Sequence, residues 1–223
     1  MVKGAAADLP LKLRVARAEA VQQIQNVMGR YSYWHTADMH RECMGLFALK
    51  TPGVRAEMMW GVYEGAAGIE RLYPGWHTHL GEEARAGQLH MHTLTTPVIE
   101  VAGDLRTAKA TWVSPGHETM SFSAGGEKTP EAFWAWCKYG CDFVVEDGRW
   151  KIWHLHVYGI FLAPYGRSWV DQPEDMIDPP PMLDEHRPDR PPTTHWQYMP
   201  DRVYPNEPAP PDPHPSYDES AAF

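Results

Sequence analysis

The sequence predicts an α+β fold, in which N-terminal helices pack on one face of a curved antiparallel sheet and an extended arm follows. Three observations carry this expectation. Ile24, Val27, Met28 and Tyr31 recur at helical spacing near the start of the chain. Phe133–Glu146 and Arg149–Phe161 are strand-like runs joined by Asp147-Gly148, a strong hairpin signal. Fourteen of the 21 prolines fall between Pro173 and Pro215, where neither helix nor sheet can continue. Residues 1–170 therefore read as one domain and residues 171–223 as a Pro-rich C-terminal extension.

From Asp8 to about His35 the pattern is helical: Asp8 can cap, and Pro10 fits a first turn where a missing N–H costs little. Asp38 precedes a second short helix, Met39 to about Leu49, and Thr51-Pro52-Gly53 marks a turn. Val54–Tyr63 reads as a first strand, and Gly65 opens a helical stretch over Ala66–Tyr73. Pro74–Gln88 reads as a loop or irregular helix. Leu89–Val101 and Ala108–Ser114 are the next strands, turning at Gly103-Asp104, and Pro115-Gly116-His117 reads as a turn. Gly125-Gly126 does not lead from a strand into a helix, so no phosphate-cradling loop is expected. The tail keeps Trp196, Tyr198, Tyr204, Tyr217 and Phe223, which a solvated linker has no use for. The arm is expected to drape over its own domain or a neighbouring subunit.

The strongest chemical signal is three His-x-His pairs, His77/His79, His90/His92 and His154/His156, where chance predicts about 0.6. On a strand, residues i and i+2 share a face about 7 Å apart, so such pairs can aim two imidazoles into one cavity. Imidazole moves protons near neutral pH and is also the commonest metal ligand. The net charge of −9 argues against a nucleic-acid partner. No apolar run is long enough to span a membrane and no secretory signal is apparent, which leaves the cytoplasm as the expected compartment. Cys43, Cys137 and Cys141 form no disulfide framework. Ten Trp and ten Tyr serve either core and interface packing or a pocket for a flat apolar ligand.

Four motifs occur in a recognisable order: Arg30-Tyr31…Asp38…Leu46-Phe47-Ala48; Gly61-Val62-Tyr63-Glu64-Gly65; His92 followed by Pro97-Val98-Ile99-Glu100-Val101-Ala102-Gly103-Asp104; and Asp147-Gly148-Arg149-Trp150-Lys151-Ile152. Over roughly Arg14 to Phe161 the chain resembles the SnoaL-like branch of the nuclear transport factor 2-like superfamily. The resemblance implies a cone: a strongly bent antiparallel sheet whose apolar pocket is closed by helices, in proteins that often pair through the outer sheet face. It also implies an enzyme working without metal or organic cofactor, as scytalone dehydratase does. On that pattern the pocket histidine falls on His92 and a second on His117. The family's Tyr-Asp pair lands on Trp34 and His35, leaving Tyr33 to supply a phenol. The heavy Trp content, the Trp153-His154-Leu155-His156 strand and the Pro-rich tail further resemble cofactor-free lyases of lignin-derived diarylpropanes, which release formaldehyde and leave a stilbene.

The residues expected to act are thus His92, His117, Tyr33, His35 and Asp38. Asp38 is equally readable as a helix N-cap. His90, Trp60, Trp112, Trp136, Tyr139, His154 and His156 are expected to line a substrate pocket or pack the core, the last two in phase with Trp150 and Ile152. His77 and His79 read as a surface loop or lid, and the tail histidines His186, His195 and His214 as surface. The expected chemistry is acid–base cleavage of a small aromatic substrate, or dehydration of an aromatic, polyketide or steroid-like one, by a homodimer or higher homo-oligomer with exchanged arms. The alternatives are a metal site of His90, His92 and one of His117, His154 or His156, and a non-catalytic binding module.

Overall fold

The computed structural model describes residues 10–78, 85–124, 127–171, 183–194 and 197–223. Asp8, His79, the Gly125-Gly126 pair, His195 and Trp196 lie outside them. Helix α1 (Leu11–Thr36) buries Ala20, Ile24, Val27, Met28, Tyr31 and His35, one continuous stripe at helical spacing. Helix α2 is shorter than its sequence pattern, His40–Met44, and no side chain caps it. Asp38, expected as that cap, instead takes a left-handed backbone (φ 56°) in the turn between the two helices, a conformation Asp tolerates better than most residues.

The sheet is eight-stranded, bent and unclosed, and antiparallel except where β1 runs parallel to β8. Several runs read as single strands are broken. Val54–Tyr63 is a tight hairpin of β1 (Arg55–Met58) and β2 (Gly61–Glu64). After α3 (Gly65–Glu70), Arg71–Gly75 forms a wider helical turn containing Pro74. Leu89–Val101 divides into β3 (Leu89–His92) and β4 (Thr95–Val101), which leave for different partners, β6 and β5 (Thr107–Ser114). Pro115-Gly116-His117 is no turn: Gly116 begins β6 (Gly116–Ala124). The long strands β7 (Glu127–Glu146) and β8 (Arg149–Pro164) meet at Asp147-Gly148, both with positive φ, as the tightest hairpin turn requires.

The β7–β8 ladder carries two bulges, at Trp153 and Ile160, each an extra residue in β8. A one-residue insertion reverses which face every following side chain takes. Trp150 and Ile152 point into the core; past Trp153 that role passes to Leu155 and Val157. His154 and His156, expected in phase with Ile152, therefore lie on the opposite, outer face.

That face is covered by the C-terminal arm. Asp142, fully buried there, accepts from His154 Nδ1 at 2.8 Å, Lys109 Nζ at 2.6 Å and the Phe223 backbone N–H at 2.8 Å. Glu57 sits 3.2 Å from His156 Nε2 and accepts from both the backbone and hydroxyl of Thr193. Arg55 donates to the Phe223 carbonyl, and Lys109 lies 4.1 Å from the centre of the Phe223 ring. At Gly140, beneath that ring, an added Cβ would fall 2.6 Å from it. Cys43, Cys137 and Cys141 are buried and free. Gly140→Val should therefore lift the arm's last residues from the sheet, costing about 1–3 kcal/mol of stability, the usual range for overpacking. Denaturant unfolding and faster proteolytic cutting after residue 197 are the readouts.

Candidate active site

Between α1 and the inner face of the sheet lies a cavity of about 250 Å³, lined by Tyr31, His35, His77, His90, His92 and Glu118 together with an apolar wall of Met, Trp, Phe and Leu side chains. The β3–β6 pairing explains its polar side. In an antiparallel ladder directly opposite residues share a face, and here His90 faces Glu118 while Met91 faces His117. His90, His92 and Glu118 consequently point inward, and His117 points outward against Trp134, with ring centroids 5.0 Å apart. His117 is thus off the cavity by one position, and the inward group beside it is Glu118. Gly116, opposite His92, has no room for a side chain: a Cβ there would fall 2.2 Å from the Ala135 carbonyl oxygen and 2.7 Å from His92 Nδ1.

His92 Nε2 lies 3.0 Å from Glu118 Oε1, both side chains largely buried. Burial opposes charge on this ring, but the Cys137 sulfur and the Glu118 carboxylate outweigh it and raise its pKa above that of a free imidazole. Burial likewise opposes the Glu118 carboxylate, and the same pairing pulls its pKa down. The pair is held in place from behind by Ser32, whose hydroxyl donates to the His92 carbonyl at 2.6 Å.

His35, one turn beyond Tyr31 on α1, sits 5.6 Å from His92 by ring centroids. Burial first, then the nearby His77, His92, His40 and His90, push its pKa well below the usual value, so this ring is neutral. Its Nδ1 is buried and has no hydrogen-bond partner. The cavity thus sets a cationic imidazole beside a neutral one. Tyr31 and Tyr73 share a hydrogen bond of 3.0 Å between their hydroxyls, and burial raises both pKa values, keeping the phenols protonated.

The remaining expected residues divide. Trp60, Trp136 and Tyr139 line the cavity. Tyr33 does not: it is 82% exposed, because two residues along a helix from Tyr31 is the far side. Trp112 is core, edge-on to Phe143. Asp38 lies outside the cavity, 3.5 Å from His40 and bound to Arg85 at 2.7 Å. His154 and His156 are under the arm, so the set proposed for a metal is divided between two faces of the sheet. Among the described residues no three His, Cys, Asp or Glu side chains are placed to hold an ion. His77 belongs to the cavity and not to a surface loop, its Nδ1 2.8 Å from the Leu72 carbonyl. His186 packs near Trp76 and is largely buried.

Sequence reading missed Glu118, Tyr31, Tyr73, His77 and Cys137 as site residues. Tyr31 was findable, since it continues the stripe of Ile24 and Met28; Glu118 required the register of two strands that the sequence does not align.

The His92–Glu118 pair makes stability pH-dependent with a definite sign. Its contribution is fully present between the ordinary carboxylate value of 4.5 and the ordinary imidazole value of 6.5. It is lost as pH rises through the raised His92 pKa, and again as pH falls through the lowered Glu118 pKa. Unfolding of Glu118→Gln should accordingly differ most from the parent protein near about pH 5.5, with the gap closing in strong alkali.

The SnoaL-like domain family model matches residues 16–156. A candidate scytalone dehydratase from Novosphingobium aromaticivorans superposes with a TM-score of 0.50 at 15% identity, covering 69% of this chain and 97% of its own. A candidate aromatic ring hydroxylase from the same organism gives 0.51 at 15% identity, covering 66% and 94%. A hexachlorocyclohexane dehydrochlorinase gives 0.51 at 13% identity, covering 67% and 91%. No curated protein sequence matches. Among the described residues no helix is long and apolar enough to cross a membrane. With the matched segment taking in the helices, the cavity strands and most of the long hairpin, the chain belongs to the SnoaL-like domain family.

Proposed function

We propose that the protein is a cofactor-independent lyase acting on a small hydroxylated aromatic substrate, with His92 as acid and His35 as base. The observation that carries this reading is the juxtaposition of a carboxylate-paired imidazole and a neutral one whose Nδ1 has no hydrogen-bond partner, 5.6 Å apart by ring centroids beside an aromatic-walled cavity. Two titratable groups whose surroundings drive their proton affinities apart are what acid–base catalysis at neutral pH requires. The dehydratase and dehydrochlorinase names of two structural neighbours fit an elimination on the same cone.

The reaction we favour is cleavage of a lignin-derived 1,2-diarylpropane-1,3-diol. His92 donates its proton to the benzylic hydroxyl, which leaves as water, while the para-phenolate of the substrate supplies the electron pair and becomes a quinone methide. His35 then takes the proton from the terminal hydroxyl. The carbon–carbon bond to that terminal carbon breaks, formaldehyde departs, and the electron pair restores the aromatic ring as the stilbene forms. Trp60 and Trp136 supply flat walls for the two rings, and Tyr31, hydrogen-bonded from behind to the buried Tyr73, supplies a phenol at the cavity wall. With a substrate lacking the terminal hydroxymethyl, the same pair performs a dehydration, His35 taking a carbon-bound proton. Residues 1–170 form the catalytic unit on this reading, and residues 171–223 a cover for its outer face. Exchange of arms between copies would reuse the contacts each arm makes on its own sheet.

Incubation with a phenolic diarylpropane diol should release formaldehyde and stilbene in equal amounts, without added metal or coenzyme. Retention of intact diol would replace the lyase with a binding protein. His92→Gln and His35→Gln should each lower kcat by a factor of about 10² to 10⁴. Tyr33→Phe and His117→Gln should leave it near the parent value.

A further inference from the structure

His35 has a second neighbour that the proposed chemistry does not use. His40, at the start of α2, is 2% exposed and stands nearly perpendicular to His35, with ring centroids 5.2 Å apart. Its Nδ1, like that of His35, is buried without a hydrogen-bond partner. Its Nε2 lies 3.5 Å from Asp38 Oδ1. The Asp38 carboxylate is 31% exposed and reaches water. The left-handed backbone of Asp38 folds the turn back so that this carboxylate sits beside the ring two residues later. Arg85 occupies the other oxygen, Oδ2, at 2.7 Å, leaving Oδ1 to His40.

We infer that His40 and Asp38 form a proton outlet, through which a proton arriving on His35 passes to the His40 ring, then to the Asp38 carboxylate and so to solvent. The inference rests on reading His35 and His92 as the acid–base pair. Each turnover leaves His35 with one proton too many and His92 with one too few, inside a cavity walled by aromatic rings. The transfers move only protons and balance over a cycle: the proton gained by His35 leaves along the path to solvent, and one taken up from solvent along the same path returns through His35 to His92. His77 also touches His40, at 4.7 Å between centroids, but its Nδ1 is committed to the Leu72 carbonyl, which makes it a side branch. The groups facing His40 are therefore Asp38, Arg85, His35, His77, His90 and the Tyr73 ring. Burial lowers the His40 pKa to about 4, so the ring rests neutral and holds a proton only in passage to Asp38.

The test needs no substrate. In the full chain labelled with ¹⁵N-histidine, exchange of the His92 ring proton with water is read by saturation transfer. Asp38→Asn and His40→Gln should each slow that exchange at least ~10-fold, as loss of a positioned proton donor would. Arg85→Gln, which breaks the same ion pair but keeps the carboxylate, should stay near the parent rate. Adding free imidazole should restore exchange in Asp38→Asn. Unchanged exchange in folded Asp38→Asn overturns the outlet, as does equal slowing in Arg85→Gln, which would mark a purely structural role. If His40→Gln does not fold, Asp38→Asn at the half-exposed end decides. Slowed exchange in a protein that leaves phenolic diols untouched would uphold the outlet and remove the lyase reading. Where turnover is seen, the same variants should lower kcat with KM unchanged.

Discussion

The long β7–β8 hairpin is the member on which the other strands depend. β1 pairs with β8, while β5 and β6 pair with β7, and β3 and β4 attach through those. The hairpin therefore decides which residues of neighbouring strands meet the helices and which meet the arm. Its bulge at Trp153 is the sharpest decision in the chain. Were Trp153 an ordinary ladder residue and not a bulge, His154 and His156 would point toward the core in phase with Ile152. With the bulge, the space is filled by Leu155 and Val157, and the histidines join Asp142 and Glu57 on the outer face.

The two faces consequently use histidine in opposite ways. On the outer face His154 and His156 are each matched to a carboxylate and covered by the tail, which offsets much of the cost of burying them, although His154 Nε2 has no partner. In the cavity the matching is deliberately incomplete. His92 Nε2 has Glu118, but the Nδ1 atoms of His92, His35 and His40 have no partner, and several imidazoles repel one another's protonation. A buried polar atom left open lowers stability, and sites that carry function are where such a cost is retained.

Much of this was legible in advance, for physical reasons that can be stated residue by residue. The α+β class, α1 and the Asp147-Gly148 turn follow from periodicity and from backbone conformations that few residues accept. His92, His90 and His35 follow from motif order and from the helical stripe. What stayed hidden was register. Tyr33 was placed two residues off the buried face, and His117 one residue off the ladder position that Glu118 occupies. The phase of His154 and His156 was right as far as Ile152 and failed at a bulge with no sequence mark. Strand parity is a long-range property: it depends on which residue stands opposite, and a single chain states that only after it has folded.

The arm also sets an order of events. Its contacts close some of the longest loops in the molecule: Arg55 meets Phe223 across 168 intervening steps of chain, and Asp142 meets it across 81. Loop-closure entropy grows only logarithmically, so the longer of these costs about 0.6 kcal/mol more than the shorter. Timing is the stronger constraint. The surface that receives Phe223 exists only once β1, β5, β7 and β8 have paired, so the tail docks after those strands. Until then Asp142 and His154 stand open to water, and an incomplete molecule is recognisable by an accessible outer sheet.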